Sequence, residues 1–451
     1  MGMLKRLWPA LSSARCVTIH ALYSSITEST MRKTVLLGVV TLILLVASTV
    51  GCTSNVHTAT TQPKTLTIGA LVPLTGTAAS TGANVNSTIH VAVADVNEYL
   101  SATNESTRIQ LITEDTGTTP EGALAAINAL HADGVTAVIG PYSSAELTAV
   151  APYAQENGMV LINYGSTAPS LNVTRESAFR IVPDDSHQGP ALASVVGGQG
   201  VRLLIPFVRN DVYGNGLINA TRTTFEQRGG VVAEGVQFAP NSTNFTSVLD
   251  AVRPQLTQAT TTYGTGSVGV LFIGFESNTV PMLIAAADDP LWSSVRWYGV
   301  AATPVNAILA NDTAARSAVQ LNYTAVQQIE GQGESYDHLM KNATVQHTVQ
   351  TPYGSFAYDA VWIMARALAE TNDGNSTALR AAIPRVAGTY EGITGNTTLN
   401  AAGDRAYANY DFWTVRSENG TYVKVKTAEF RTDPRSGTAT IQRSTTAAVA
   451  R

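Results

Sequence analysis

The chain reads as an α/β protein built from two doubly wound parallel-sheet lobes. Three observations predict this. Short apolar, β-branched runs alternate with amphipathic helical segments, as in a parallel sheet covered by helices. The alternation runs twice, over residues 66–183 and again over 184–323, which fits two similar lobes better than one extended sheet. And 451 residues are more than one hydrophobic core usually organises.

Leu66–Val72 (LTIGALV) is the first predicted strand, closed by Pro73-Leu74-Thr75-Gly76. Val85, Ile89, Val93 and Val96 recur at helical spacing, so 85–100 is a helix. Arg108–Asp115 is a strand. Thr119-Pro120-Glu121 then supplies a cap, a proline at the first helical position and an acid in the first turn, opening a helix to about Ala132.

The central unit is Val138–Leu171. Val135–Ile139 is a short strand closed by Gly140-Pro141. Ser143 with Glu146 three residues on is a capping box, so a helix starts at Ser143 or Ser144 and ends near Asn157-Gly158. Met159–Ile162 is the next strand, and Gly165-Ser166-Thr167 a loop beyond it. Parallel strands put their carboxyl ends on one side, so both hydroxyl-bearing loops and a helix N-terminus meet at one sheet edge. That arrangement suits a carboxylate or another small anion.

After Phe179–Val182, the turn-rich Pro-Asp-Asp-Ser-His-Gln-Gly-Pro is expected to be the first crossing between lobes. The second series follows: strand 201–208, helix 216–228, strand 231–238, helix 245–256, strand 268–274, helix 277–288 and strand 295–300. Thr324–Ile329 is expected to begin a return to the first lobe. Helices over 352–370 and 379–386 belong to that return, and alternating strands and turns over 392–430 complete the second lobe. Residues 431–451 lack apolar periodicity and are expected to be a disordered tail. The division is therefore 66–183 lobe 1, 184–323 lobe 2, 324–388 lobe 1 again and 389–430 lobe 2 again.

The N-terminal region, 1–52, differs from the body. It carries a net charge of +4, leaving −9 for the remainder of a chain whose total is −5. A body that acidic argues against nucleic acid as a partner. Met31-Arg32-Lys33 precedes the uncharged run Thr34–Val50, which as a helix spans roughly 25 Å, and Gly51-Cys52 follows. Residues 31–52 thus have the form of a lipoprotein-type signal peptide, with Cys52 the expected lipidation site. An uncleaved signal anchor is the alternative. Either places the body outside the cytoplasm, tied to the membrane through a Ser/Thr-rich tether, 53–65. Twelve Asn-x-Ser/Thr sequons occur, at Asn86, Asn104, Asn172, Asn219, Asn241, Asn244, Asn311, Asn322, Asn342, Asn375, Asn396 and Asn419. About five are expected by chance, so these are candidate glycosylation sites of an exported protein.

Nothing in the sequence assembles catalytic machinery. No G-x-S-x-G, H-E-x-x-H or P-loop is present, and no two of the seven histidines have metal-ligand spacing. The paired acids Asp184-Asp185 and Asp288-Asp289 each lie beside a proline and are expected to be solvated turns. The sequence therefore predicts binding rather than catalysis, with no cofactor and no metal.

IGPYSS, followed by LINYGSTAPSL, resembles the leucine/isoleucine/valine-binding protein family. IGALVPLTG, VADVN, QGP at 188–190, VYGNGL, AYDAV and AAGDRAYANY match it in order between about 66 and 430. These are solute-binding proteins of branched-chain amino acid type ABC transporters, with the type I periplasmic-binding fold. The resemblance implies two lobes joined by three crossovers that close on a small solute and present it to a membrane permease. It places Ser144, the Gly165 backbone and Thr167 at a ligand carboxylate, with Ser143 and Ser166 close by. Tyr213 becomes a cleft-closing aromatic and Phe275 a second-lobe contact. Two departures stand out. Ala301 occupies the place of the acid that usually holds the ammonium, making Glu276 the nearest alternative. Ser80-Thr81-Gly82 stands where a large aromatic is usual. An amino acid, an amide or a simple carboxylate is therefore the expected solute. A ligand-sensing receptor domain of the same fold is the alternative.

Overall fold

The computed structural model describes residues 64–103, 105, 107–171, 177–371, 375–432 and 439–444. The signal or anchor segment, Cys52 and most of the tether lie outside these, as do Asn104 and Asn172. No helix among the described residues is long and apolar enough to cross a membrane.

Two sheets organise the chain. The first is fully parallel, in the order β2 (Thr107–Asp115), β1 (Lys64–Val72), β3 (Ala137–Ile139), β4 (Val160–Asn163), β5 (Ala178–Arg180). Its inner strands are buried on both faces, as helix-covered parallel strands must be. The second is mixed. Its parallel part comprises β6 (Leu203–Arg209), the short β7 (Val231–Val232) and β8 (Val236–Phe238), β9 (Val268–Ile273), β10 (Arg296–Gly299) and β11 (Thr324–Gln328). The two pieces β7 and β8 replace the single strand expected over 231–238. Antiparallel β14 (Asn409–Glu418), β15 (Thr421–Thr432) and β16 (Ala439–Arg443) extend that sheet beyond β11. An Asn419-Gly420 turn with both residues at positive φ joins β14 to β15, as a two-residue hairpin requires.

Three expectations need correction. Thr324–Gln328 does not begin the return to the first lobe: it is β11, paired to β10 and β14 inside the second sheet. Its polar run (TAVQQ) hides a strand buried along its whole length. The chain rejoins the first sheet's layer with the helix Pro352–Thr371, which packs on Ala79–Ala102. Nor does the second lobe resume at 389. The hairpin β12 (Glu391–Gly392) and β13 (Gly395–Asn396) is held to helix Pro352–Thr371 by Asp359, which accepts from the Ile393 N–H at 2.9 Å and the Thr394 N–H at 3.0 Å. Strands of the second sheet resume at Asn409. Finally, Ala439–Arg443 within the supposed tail is the edge strand β16. Every residue of it is exposed, so it has no buried face to print a period-two pattern, and main-chain bonds to β15 alone define it.

Ten sequon asparagines are described. Eight are exposed, and Asn86 and Asn342 are partly so.

Candidate functional site: a cavity between the two sheets

The site starts from two loops at the carboxyl edge of the first sheet. Ser143 caps the helix Ser144–Glu156 through the predicted box: its Oγ accepts from the Glu146 N–H at 3.2 Å, and a Glu146 carboxylate oxygen accepts from the Ser143 N–H at 2.6 Å. Asn163, at the end of β4, ties the second loop to the first. Its Oδ1 accepts from the N–H groups of Gly165 (3.0 Å) and Ser166 (2.7 Å), while its side-chain amide donates to the Pro141 carbonyl. Ser144 Oγ accepts from the Ser166 hydroxyl at 3.0 Å and the Ala168 N–H at 3.1 Å. Gly165 lies so close to Tyr142 that an added Cβ would stand 2.6 Å from the Tyr142 carbonyl oxygen. Gly165→Ala is therefore expected to push the loops apart, costing about 1–3 kcal/mol in a denaturant melt and weakening any ligand held there.

The second sheet supplies the facing wall. Asp211 caps the helix Val212–Gln227, accepting from the Gly214 N–H at 2.8 Å, and so sets Tyr213 in its first turn. Phe275 follows β9. The Arg209 guanidinium sits 4.0 Å over its ring and is itself fixed by Asp211 at 2.5 Å and Asn278 at 3.0 Å. Phe275 meets Tyr142 across the cleft at 5.5 Å between ring centroids, and Tyr142 meets Tyr353 at 5.1 Å.

Ser143, Ser144, Gly165, Thr167, Tyr213 and Phe275 line one cavity, with Tyr142, Ala302 and Tyr353. Its volume is about 10 Å³, room for roughly one water and too small for an amino-acid-sized solute. Ser166 lies behind this wall, fully buried against Ser144. Glu276 is not among the lining residues. It opens the helix after Phe275, half-buried, with Ser80 of the other lobe as its side-chain partner, and burial raises its carboxyl above the usual range.

Asp185 is a group that sequence reasoning placed wrongly. The segment 184–190 is not a solvated turn: Asp184 caps the helix Asp185–Gly198, which packs against Val212–Gln227. Asp185 is completely buried. It accepts from the Thr167 hydroxyl at 2.8 Å and from the Gln188 amide at 2.5 Å, and the Gln188 amide oxygen accepts from the Ala301 N–H at 2.9 Å. A continuous polar chain thus runs from the cavity wall through Asp185 and Gln188 to the Ala301 main chain. Burial pushes the Asp185 carboxyl well above the usual carboxylate range and Asp184 adds to it, while the bonds from Thr167 and Gln188 pull the other way. The Tyr213 hydroxyl, on the cavity wall, is buried with no partner among the described residues. Tyr142 and Tyr353 also escaped notice, because single aromatics beside a cap or at a helix start carry no pattern.

Beneath the floor lies Arg180, also fully buried. It pairs with both oxygens of Asp404 at 2.5 and 2.6 Å and donates to the Ala168 carbonyl at 2.9 Å. The main chain reinforces the contact, with the Arg180 N–H donating to the Gly403 carbonyl and the Arg405 N–H to the Arg180 carbonyl. The loop carrying Thr167 and the last crossover between the sheets are therefore held by one guanidinium.

Residues 84–418 match the family described as the receptor family ligand binding region. The chain belongs to this family. An uncharacterized protein of Methanocaldococcus jannaschii is 28% identical over 401 residues, 83% of this chain and 94% of that protein. A Leu/Ile/Val-binding protein of Rhizobium johnstonii is 26% identical over 192 residues, 42% of this chain. That match spans about half (52%) of the relative's length. Among solved structures, a leucine binding protein from Thermotoga maritima aligns with a TM-score of 0.67 at 18% identity, covering 80% of this chain and 97% of the other. A solute binding protein from R. palustris in complex with 4-hydroxybenzoate aligns with a TM-score of 0.68 at 15% identity, over 82% and 97%. The fold of this family member is thus the type I periplasmic-binding fold.

Proposed function

We propose that the protein is an extracytoplasmic solute-binding protein of an ABC importer, and that it captures a small amino acid by closure of its lobes. The observation that carries this is the cavity itself. One wall offers Ser144 and Thr167 at a helix N-terminus, the other offers Tyr213 and Phe275, and Asp185 stands one hydrogen bond behind Thr167. The helix N-terminus and the Ser144 hydroxyl suit a carboxylate, while the Thr167 hydroxyl gives its proton to Asp185 and holds that acid beside the cavity wall. Asp185 supplies the acid that Ala301 lacks, so an α-ammonium has a charged partner, without which its burial would be costly. Glu276 then has no part in holding the solute: it lies outside the cavity lining, with Ser80 as its partner. The Leu/Ile/Val-binding relatives support the solute class, and a permease is the partner that such a protein requires.

A thermal-shift panel of amino acids, their amides and simple carboxylates tests this. A true ligand at a hundred times its Kd should add about 2.7 kcal/mol of stability. Stabilisation by carboxylates that lack an amine, but by no amino acid, would overturn the role given to Asp185. Ser144→Ala and Thr167→Ala should each weaken binding by about 1–3 kcal/mol by stranding a polar partner, and unchanged affinity in both, measured by calorimetry, would remove the carboxylate site.

The anchor is part of the same proposal. Cys52→Ser is expected to move the protein from the membrane to the soluble fraction. Retention on the membrane would favour an uncleaved anchor over a lipid.

A further inference from the structure

A second cavity, of about 550 Å³, shares no lining residue with the cleft. Its wall is a stripe on the helix Pro352–Thr371, in which Tyr358, Trp362 and Arg366 follow one another at four-residue spacing. Tyr390 closes it from the turn after the helix Ser376–Thr389. Trp362 and Tyr390 lie nearly parallel, 6.5 Å apart at 16°. The Arg366 guanidinium rests on three rings, 5.0 Å from Tyr390, 5.4 Å from Trp362 and 5.7 Å from Tyr99.

What this guanidinium lacks is an acceptor. Arg366 has no ion pair or hydrogen bond among the described residues, and its Nε is buried without a partner. The Trp362 Nε1 beside it is also buried; the Tyr358 hydroxyl is close to it but outside good hydrogen-bond geometry. Burying donors unmet is unfavourable. Glu334 and Glu391 line the same cavity, yet neither pairs with Arg366. Both are exposed, so they stand at the rim. Cation–π contact satisfies the face of a guanidinium and leaves its N–H edge free.

We infer that this cavity is a second binding site, for a small aromatic carboxylate. The carboxylate would take the Arg366 edge and the Trp362 indole N–H, and the ring would lie among Tyr358, Trp362 and Tyr390. The rim glutamates disfavour a phosphate or another multiply charged anion, whereas a single carboxylate reaches Arg366 with its charge neutralised.

The test uses the purified full chain with benzoate and indole-3-acetate as probes, followed by calorimetry and ligand-observed NMR. Saturable binding is expected for the unaltered protein. Arg366→Gln should weaken it by at least about tenfold, and Trp362→Phe severalfold, since the ring is kept and only the N–H is lost. Thr167→Ala should leave it in place. Arg366→Lys keeps the charge and guards against a folding defect, with an unchanged melting temperature as its control. No saturable binding to the unaltered chain would overturn the inference. So would binding that persists in Arg366→Gln, or binding that Thr167→Ala removes, which would assign the probes to the cleft.

Discussion

Asp185→Asn is expected to abolish measurable capture of amino acids while making the unliganded protein more stable at neutral pH. Both effects follow from one buried carboxyl. Removing the charge that faces a buried ammonium costs about 3–5 kcal/mol, two decades or more in Kd. The stability effect has the opposite sign. Burial raises the Asp185 carboxyl pKa above that in the unfolded chain, so the folded protein holds this proton more tightly. The resulting stability is fully present below the unfolded carboxyl value of about 3.9 and is lost as pH rises toward the folded value. Asparagine has no proton to lose, so the variant's melting temperature should vary less from pH 4 upward. An ammonium favours the ionised carboxylate, so binding an amino acid should release a proton and tighten as pH rises. Calorimetry in two buffers of different ionisation enthalpy measures that proton directly. A heat independent of buffer would place the ammonium elsewhere.

Arg180→Met should be the most destabilising single substitution near the site. It leaves Asp404 buried without its counter-charge, at a cost of about 3–5 kcal/mol, visible as a lower urea midpoint. Arg180 also pairs with the buried Asp184 at 3.7 Å, so adding Asp404→Leu should recover only the part of the loss that comes from stranding Asp404, because replacing that pair by apolar groups is far less unfavourable than leaving one of its ions buried alone. Solute affinity should fall even in the double variant, since the Ala168 carbonyl loses the donor that steadies the Thr167 loop. Equal loss of stability in single and double variants would mean that the pair contributes through packing alone.

Much of the first lobe was legible because its signals are local. Thr119 and Ser143 cap where they should, accepting from Gly122 and Glu146 respectively, and Pro120 stands at the first helical position. The capping box fixed the helix start, and the strand before it fixed which end of the sheet the loop occupies. What failed depended on tertiary context. Asp185 reads as a turn residue beside a proline, yet it is buried because the helix it opens packs against its neighbour, and Pro190 lies inside that helix. Glutamines at 327 and 328 masked β11, whose strand character comes from partners on both sides. Glu276 was the acid nearest in sequence to Phe275, but a helix start turns successive residues to different faces, which sends it toward Ser80.

The Tyr142–Phe275 contact has a further consequence. On the proposed reading, any solute of a given size must first separate these rings and afterwards accommodate them, and the free energy of separating them is the same whichever solute arrives. It enters every affinity as a common offset and cancels from every ratio of affinities. On that reading, preference among solutes rests on the lining hydroxyls, on Asp185 and on the fit against the rings, whereas the common offset is set where the two lobes touch. Because both rings also line the cavity, a substitution at either moves this common offset and the fit of the bound solute together.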